Sequence, residues 1–476
     1  MLPTTMLTMI DGVRVVVPDS LDLITPYVLR EQQDWFEDEI KFLRRLLQPG
    51  DKVIDIGANY GVYTLAMART VGPEGHLWAF EPASSTAKLL AEGIVANGFT
   101  HVTVERSALS CNRGTARLSL NDNSELNALL HDETRVEACE TVAVVTLDDC
   151  LQRYGWRDIE LVKIDAEGEE ANILKGGERF LAELSPLVQY EVKAGEHVHL
   201  ELVRALDHLG YDSYRLVPGL QILVPFDIEA PADPYLLNLF CCKADRAARL
   251  AGRGLLVETD AVTDHAQILQ RWIPDLSTRA GSHGVYGWRH ALVKLPYGAH
   301  LAGLWERTVA LGNSGEVEKA LFLHALSRDR SLGPVERFVA LEASFEKLEE
   351  LCASDAPYLR LSSFARAARE YGARALAVDA LARLNNSIAR NNRVDPGEPF
   401  LAPGERFDSV LPRNVIGDWA LAAVLEEFER LGSFSSFYSG RSARPRLEAI
   451  RNLRFGGAEM ERRWSLHQQR FGPSAE

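Results

Sequence analysis

Hydrophobic and polar positions along the first half of the chain switch between two periods, and the switches mark out strands and helices. GVRVVVP reads as a short strand, and DWFEDEIKFLRRLLQPG repeats its apolar residues at helical spacing until Pro49-Gly50 stops it. A regular alternation follows: strand KVIDIG, helix NYGVYTLAMART, strand HLWAFEP, helix SSTAKLLAEGIVANG and strand HVTVERSAL. TARLSL and TVAVVTL flank the polar loop NDNSELNALLHDE and predict an inserted hairpin. Strand IELVKID, helix EEANILKGGERFLAEL, strand PLVQYEV and helix EHVHLELVRALDHLG continue the series, and SYRLV, LQILV and LNLFCCK close it as strands. Strands alternating with amphipathic helices predict an α/β domain, with a parallel sheet covered on both faces and ligand at the carboxyl ends of its strands.

After Lys243 the pattern becomes helical throughout, in HLAGLWERTVALG, EVEKALFLHALSRD, PVERFVALEASFEKLEELC, YLRLSSFARAAREYG and ARALAVDALARLNNSIARN. Helix pairs of this kind stack into bundles or solenoids. A proline-rich loop near 391–415 precedes at least two more helices. The expected division is a lead-in over 1–50, a sheet domain over 51–245 and an all-α domain over 246–476. The segment SFSSFYSG, with Phe434, Phe437 and Tyr438, is expected to pack into the helical core, contact with sugar rings being the alternative.

Charge divides along the same line. Residues 1–245 carry 21 Lys and Arg against 39 Asp and Glu, a net −18, whereas 246–476 carry 31 against 28, a net +3. An acidic first half is a poor nucleic-acid binder, since Lys and Arg contacts to phosphate supply most of that affinity. No stretch approaches the roughly 18 uncharged apolar residues of a membrane span, and the N-terminus lacks the pattern of a secretory signal, so the expected location is cytoplasmic. Cys111, Cys139, Cys150, Cys241, Cys242 and Cys352 show no C-x-x-C pairing and are expected as buried free thiols, with Cys241 and Cys242 on opposite faces of a strand.

The chemistry-bearing positions cluster at strand ends. In VIDIGANYGVYTLAMA, Gly57 and Gly61 allow a sharp turn between strand and helix, and Asn59 stands where a dinucleotide fingerprint has its middle glycine. Asp55 places a negative charge ahead of the turn, which suits a cation or an amino group and repels a pyrophosphate. S-adenosyl-L-methionine, a sulfonium with an amino group and no phosphate, fits this better than a nicotinamide cofactor. Glu81, 26 residues after Asp55 in FEP, is placed to accept both hydroxyls of an adenosine ribose. Ser107 and Ala108 end the next strand, where adenine lies in such a sheet. In VKIDAEGEEANILKGG, Asp165 ends a strand, Glu167 and Gly168 turn, and Glu169 and Glu170 suit the positive end of the following helix. His197 and His199, just beyond Glu191, read as capping or exposed.

DIGANYG, FEP, the hairpin region and KIDAEGEEANILKGG together resemble the FkbM-type S-adenosylmethionine-dependent methyltransferases, over roughly residues 10–245. The resemblance implies a Rossmann-like class I methyltransferase sheet and methyl transfer to oxygen, often a hydroxyl of a sugar, glycan or polyketide. It implies that Asp55, Gly57, Ala58, Asn59, Gly61 and Glu81 hold the cofactor, with Ser107 and Ala108 beside it, and that Asp165 faces the methyl group and acceptor. Asp165, Glu167 and Glu191 are the candidate catalytic carboxylates, one of them a base for a weakly nucleophilic hydroxyl. A hard cation on oxygen ligands is the competing account of these carboxylates, and no metal ligand is assigned. A nicotinamide-dependent oxidoreductase and a noncatalytic scaffold are the alternative functions. The helical half is expected to engage a partner protein, a second copy or a bulky acceptor.

Overall fold

The computed structural model describes residues 2–130, 138–194, 197–198, 200–258, 267–270, 272, 291–310, 315–353, 358–391, 393–413 and 415–472. It divides into two compact units, Met1–Leu216 with Leu223–Leu256, and Val217–Ile222 with Val257–Glu476.

An eight-stranded sheet organises the first unit. Its order across the sheet is Ile222–Pro225, Asp212–Val217, Asn238–Cys242, Leu187–Glu191, Leu161–Ile164, Lys52–Ile56, His76–Phe80 and Val102–Glu105. The five strands from Leu187–Glu191 to Val102–Glu105 are parallel, and Asn238–Cys242 joins them antiparallel. The sheet is therefore mixed, where the strand pattern predicts a parallel one. Alternate residues feed two cores. Val53, Leu77, Leu161, Leu187 and Cys242 pack on one face under the helices Asp38–Leu46, Val62–Val71 and Ser84–Asn97. Ile54, Phe80, Val162, Val188 and Cys241 pack on the other. Cys241 and Cys242 thus divide between the faces as strand geometry requires. All six cysteines are free; four are buried, but Cys111 is half-buried and Cys139 is exposed on the small sheet, contrary to the expectation of buried thiols.

Local departures from the expected elements have visible causes. HVTVERSAL is two strands: Val102–Glu105 stays in the main sheet, and Ser107–Leu109 leaves it to pair with Cys139–Val145. That smaller sheet contains the expected hairpin, Gly114–Ser119 antiparallel to Cys139–Val145. The single helix expected over EEANILKGGERFLAEL is broken into Glu170–Lys175 and Glu178–Leu184. Gly176 lies so close to another chain segment that a Cβ there would be 2.2 Å from the Ser110 carbonyl oxygen. The expected helix after Glu191 starts at Leu200; His199 lies outside the described residues, and only the backbone of His197, in a two-residue strand, is described. An N-terminal hairpin, Thr4–Thr8 with Arg14–Pro18, and a helix Ile24–Gln32 precede the sheet. The helix Ala244–Gly252 belongs to this unit, whose compact body includes Leu223–Leu256.

The second unit is helical, with Pro296–Ala310, Gly315–Ser327, Pro334–Cys352, Tyr358–Tyr371, Arg374–Asn391, Ile416–Leu431, Arg444–Leu453 and Ala458–Phe471 as its longer helices. Its proline-rich stretch is part of the core: Phe400 is buried and stacks on Tyr297, which in turn meets Trp419. A buried ionic network fixes the Tyr358–Tyr371 helix, where Glu370 pairs with Arg366 and with His324 at 2.9 Å, and Arg366 reaches Asp408 at 3.0 Å. The turn Val217–Ile222 belongs to this unit, its Gly219 N–H donating to the Glu370 carbonyl at 2.8 Å and its carbonyl accepting from Arg328 at 3.0 Å. Phe434 and Phe437 lie under the guanidinium groups of Arg374 and Arg470, while Tyr438 is exposed.

Candidate active site

The glycine turn follows directly from the strand Lys52–Ile56. Gly57 has φ +81°, and a Cβ on it would stand 1.7 Å from the Asp165 carbonyl oxygen, so no other residue fits between the two strand ends. Asn59 takes the left-handed conformation at φ 49°, in keeping with its place in the turn. Its side-chain oxygen accepts from the Tyr60 N–H and the Ser124 hydroxyl, both at 2.8 Å. The inserted segment therefore folds back onto the turn. Gly61 begins the next helix at φ 88°.

Glu81 ends the neighbouring strand beside that turn. One of its oxygens accepts the Asn59 N–H and the other the Ala83 N–H, each at 2.9 Å. Burial pushes its carboxyl up to about 7, against the opposing pull of those two N–H groups. The carboxylate keeps lone pairs for further donors, as two ribose hydroxyls would provide.

Asp55 is fully buried behind the turn, a position less open than the sequence suggests. Its Oδ2 accepts from Thr64 at 2.5 Å, and it lies level with Lys163 on the adjacent strand. Burial raises its pKa and the Lys163 charge opposes this. Its Oδ1 and the Ser107 hydroxyl are buried polar atoms without a hydrogen-bond partner among the described residues. Ser107 and Ala108 do not end a main-sheet strand, because they belong to the smaller sheet. Ala108 packs there with Ala83, Leu118, Val142 and Val144, which leaves only its backbone for a ligand. Ala58 is buried, and its N–H is committed to the Phe80 carbonyl at 3.0 Å.

Asp165, Glu167 and Glu191 come together as expected: one carboxylate oxygen of each lies within 4.8 Å of the others. Glu167 turns the chain at φ 44°, followed by Gly168 at φ 94°, and Glu170 secures the turn by accepting the Ala166 N–H at 3.0 Å. Burial, then the Asp165 and Glu167 charges, pushes the Glu191 carboxyl up to about 10. Partial desolvation followed by Asp165 raises the more exposed Glu167 to about 8. Both shifts favour the protonated form, which can donate hydrogen bonds beside Asp165.

Four further residues at this site gave no local signal. Lys163 is buried in mid-strand and donates to Asp165 Oδ2 at 2.7 Å. Tyr63 lies against it and donates to Glu37 at 2.6 Å. Glu37 also accepts from Trp35 at 2.9 Å and Asn238 at 3.0 Å, and burial raises its pKa. Glu125, on the inserted segment, accepts from the Thr25 hydroxyl, and burial raises its pKa too. An amphipathic reading of LVKID passes over Lys163, and only the pairing of three strands reveals its partners.

A strand, a left-handed glycine turn, a buried acidic residue at the next strand end and a carboxylate cluster beside them make up the candidate site. The N-terminal half is of the FkbM type: the model of the methyltransferase FkbM domain matches residues 55–213. A methyltransferase of Sordaria araneosa, sdnD, is 28% identical over 193 residues, covering 34% of this chain and 74% of that protein. A protein-L-isoaspartate O-methyltransferase of Ignicoccus hospitalis is 40% identical over 58 residues, covering 12% of this chain and 28% of its own. Among solved structures, the methyltransferase FkbM of Methylobacillus flagellatus is 16% identical with a TM-score of 0.29, covering 41% of this chain and 44% of that one. A SAM-dependent O-methyltransferase of Thermotoga maritima is 16% identical with a TM-score of 0.24, covering 51% and 78%. Among the described residues, no helix is long and apolar enough to cross a membrane.

Proposed function

We propose that this methyltransferase uses S-adenosyl-L-methionine and methylates a hydroxyl of a sugar, glycan or related natural product. Gly57, Ala58, Asn59 and Gly61 would form the bed of the cofactor, Glu81 would hold its ribose, and the Ser107 hydroxyl and Asp55 Oδ1, without a partner among the described residues, are polar atoms suited to a bound ligand. When bound, S-adenosyl-L-methionine supplies an electrophilic methyl group, the C–S bonding pair staying on sulfur as the methyl passes to oxygen. The observation that carries the reading is the convergence of Asp165, Glu167 and Glu191 at strand ends beside the glycine turn. A hydroxyl is a weak nucleophile whose proton must leave during attack, and a positioned base contributes on the order of 100- to 10,000-fold. Asp165 takes that proton, while Glu167 and Glu191 donate hydrogen bonds that orient the acceptor's other oxygens. The helical unit positions a bulky acceptor or partner, and six free cysteines suit a reducing, cytoplasmic setting.

The test is transfer of a labelled methyl from S-adenosyl-L-methionine to soluble oligosaccharides by the full chain. Base-stable methyl ether is the expected product. Label confined to base-labile esters or to amines contradicts hydroxyl transfer, and loss of transfer in excess chelator brings back the cation account of the cluster.

A further inference from the structure

Lys163 occupies a place that only strong partners justify. Its side chain is 4% exposed in the middle of Leu161–Ile164, between Asp55 on one neighbouring strand and Gln189 on the other, both wholly buried. A buried ammonium keeps its charge only where anions face it. Here Asp165 Oδ2 lies 2.7 Å away, and Asp55 is level with it in the sheet. Beneath it the Tyr63 ring centroid lies 4.8 Å from Nζ, a cation–π contact. That ring is fixed in turn, because its hydroxyl donates to Glu37, which also accepts from Trp35 and Asn238. The ammonium is thereby held in one orientation, toward Asp165.

We propose that Lys163 is a positioning residue of the transfer reaction, acting through Asp165 and not on the acceptor; this rests on the methyl-transfer reading above. By holding Oδ2, Lys163 fixes the plane of the Asp165 carboxylate and leaves the second oxygen for the acceptor. The acceptor's O–H bond breaks with its pair remaining on oxygen, and the proton goes to that second Asp165 oxygen. Without the ammonium, Asp165 would share its charge with Glu167, Glu191, Glu37, Glu125, Glu170 and Asp55, all acidic groups around the same cluster. Burial works against the Lys163 charge, but Asp165 and Asp55 outweigh it and hold the ammonium protonated.

The experiment is a carbon-13 NMR titration of the full chain labelled at aspartate side-chain carboxyls, with the Asp165 signal identified by its loss in Asp165→Asn. Removing an opposite charge at this range moves a carboxyl by about 1–3 pH units, so Lys163→Met should raise the Asp165 midpoint by that much and Lys163→Arg should restore most of it. A midpoint unchanged in Lys163→Met, or displaced equally in Lys163→Arg, overturns the proposal. Should Lys163→Met fail to fold, the nitrogen-15 signal of the Lys163 ammonium in the native chain is compared with that in Asp165→Asn. A shifted, faster-exchanging signal supports the pairing, and an unaltered one overturns it. Binding of S-adenosylhomocysteine to the native chain is measured alongside. Absence of binding despite a midpoint shift removes the methyl-transfer reading and the reaction Lys163 would serve, whereas binding without a shift overturns the assignment of Lys163 alone.

Discussion

Substituting Gly57 by alanine tests how tightly the glycine turn and the Asp165 strand end are built together. Two costs separate cleanly in this chain. Gly98 ends the Ser84–Asn97 helix at φ +70° with nothing within 4 Å of a would-be Cβ, so Gly98→Ala meets only left-handed strain, about 1–2 kcal/mol. Gly57, at φ +81°, meets the same strain and in addition a main-chain carbonyl oxygen at 1.7 Å. That oxygen cannot swing aside, because Asp165 is tied by its N–H to the Ile56 carbonyl at 3.1 Å and the strands are in register through Ile164 and Ile56. Forcing the strands apart adds about 1–3 kcal/mol, for a total of about 2–5 kcal/mol. Native-state hydrogen exchange of peptides covering Lys52–Ile56 and Leu161–Ile164 reads this directly, each 1.4 kcal/mol being about tenfold in opening. Gly57→Ala should exchange about 5-fold or more faster than Gly98→Ala, and lose S-adenosylhomocysteine binding. Equal exchange in the two variants would refute the claim that the carbonyl contact is what demands glycine.

Asp165→Asn should lower methyl transfer by about two orders of magnitude or more with the fold retained, read by labelled transfer and circular dichroism; undiminished transfer moves the base to another carboxylate. Glu191, with its folded pKa raised to about 10, binds a proton that the unfolded chain has already released, so its contribution to stability is full below its ordinary value of 4.5 and is lost as pH rises to about 10. Denaturation of the native chain should therefore become easier between about pH 7 and 10, and Glu191→Gln should flatten that slope; an unchanged slope contradicts the burial of this carboxyl. In the helical unit, Glu370→Gln leaves the buried Arg366 short of its nearest partner and should destabilise the Tyr358–Tyr371 helix by about 3–5 kcal/mol, measured by hydrogen exchange. Exchange within about threefold of the native chain would show that the remaining partners of Arg366, Asp408 among them, suffice.

What was legible in the chain was what is local. The turn at Gly57, Asn59 and Gly61 and the strand ends at Glu81 and Asp165 depend on residues within a few positions of one another, and the structure places them as read. Strand direction was not legible: the apolar pattern of Asn238–Cys242 is the same whether the strand runs with or against its neighbour. The close approach of Ser110 to Gly176, a contact across 66 positions beside the break between the two helices, is nothing that periodicity alone can supply. Lys163 was passed over for the same reason. Among LVKID it breaks an apolar run by one residue, and its meaning comes from Asp55, Tyr63 and Glu37, each a hundred or more positions away. Ser107 was assigned to the wrong sheet because Arg106, exposed between two short strands, divides an alternation that reads as continuous.

Calorimetric titration of the full chain with S-adenosylhomocysteine and, separately, with NAD tests the central claim most directly. The geometry around Glu81 and the turn predicts binding of S-adenosylhomocysteine and far weaker or no binding of NAD, with Glu81→Ala losing roughly 1.5–3 kcal/mol of the former, the scale of a charged hydrogen bond. Tight binding of NAD with none of S-adenosylhomocysteine, or an affinity for S-adenosylhomocysteine that ignores Glu81→Ala, would contradict it.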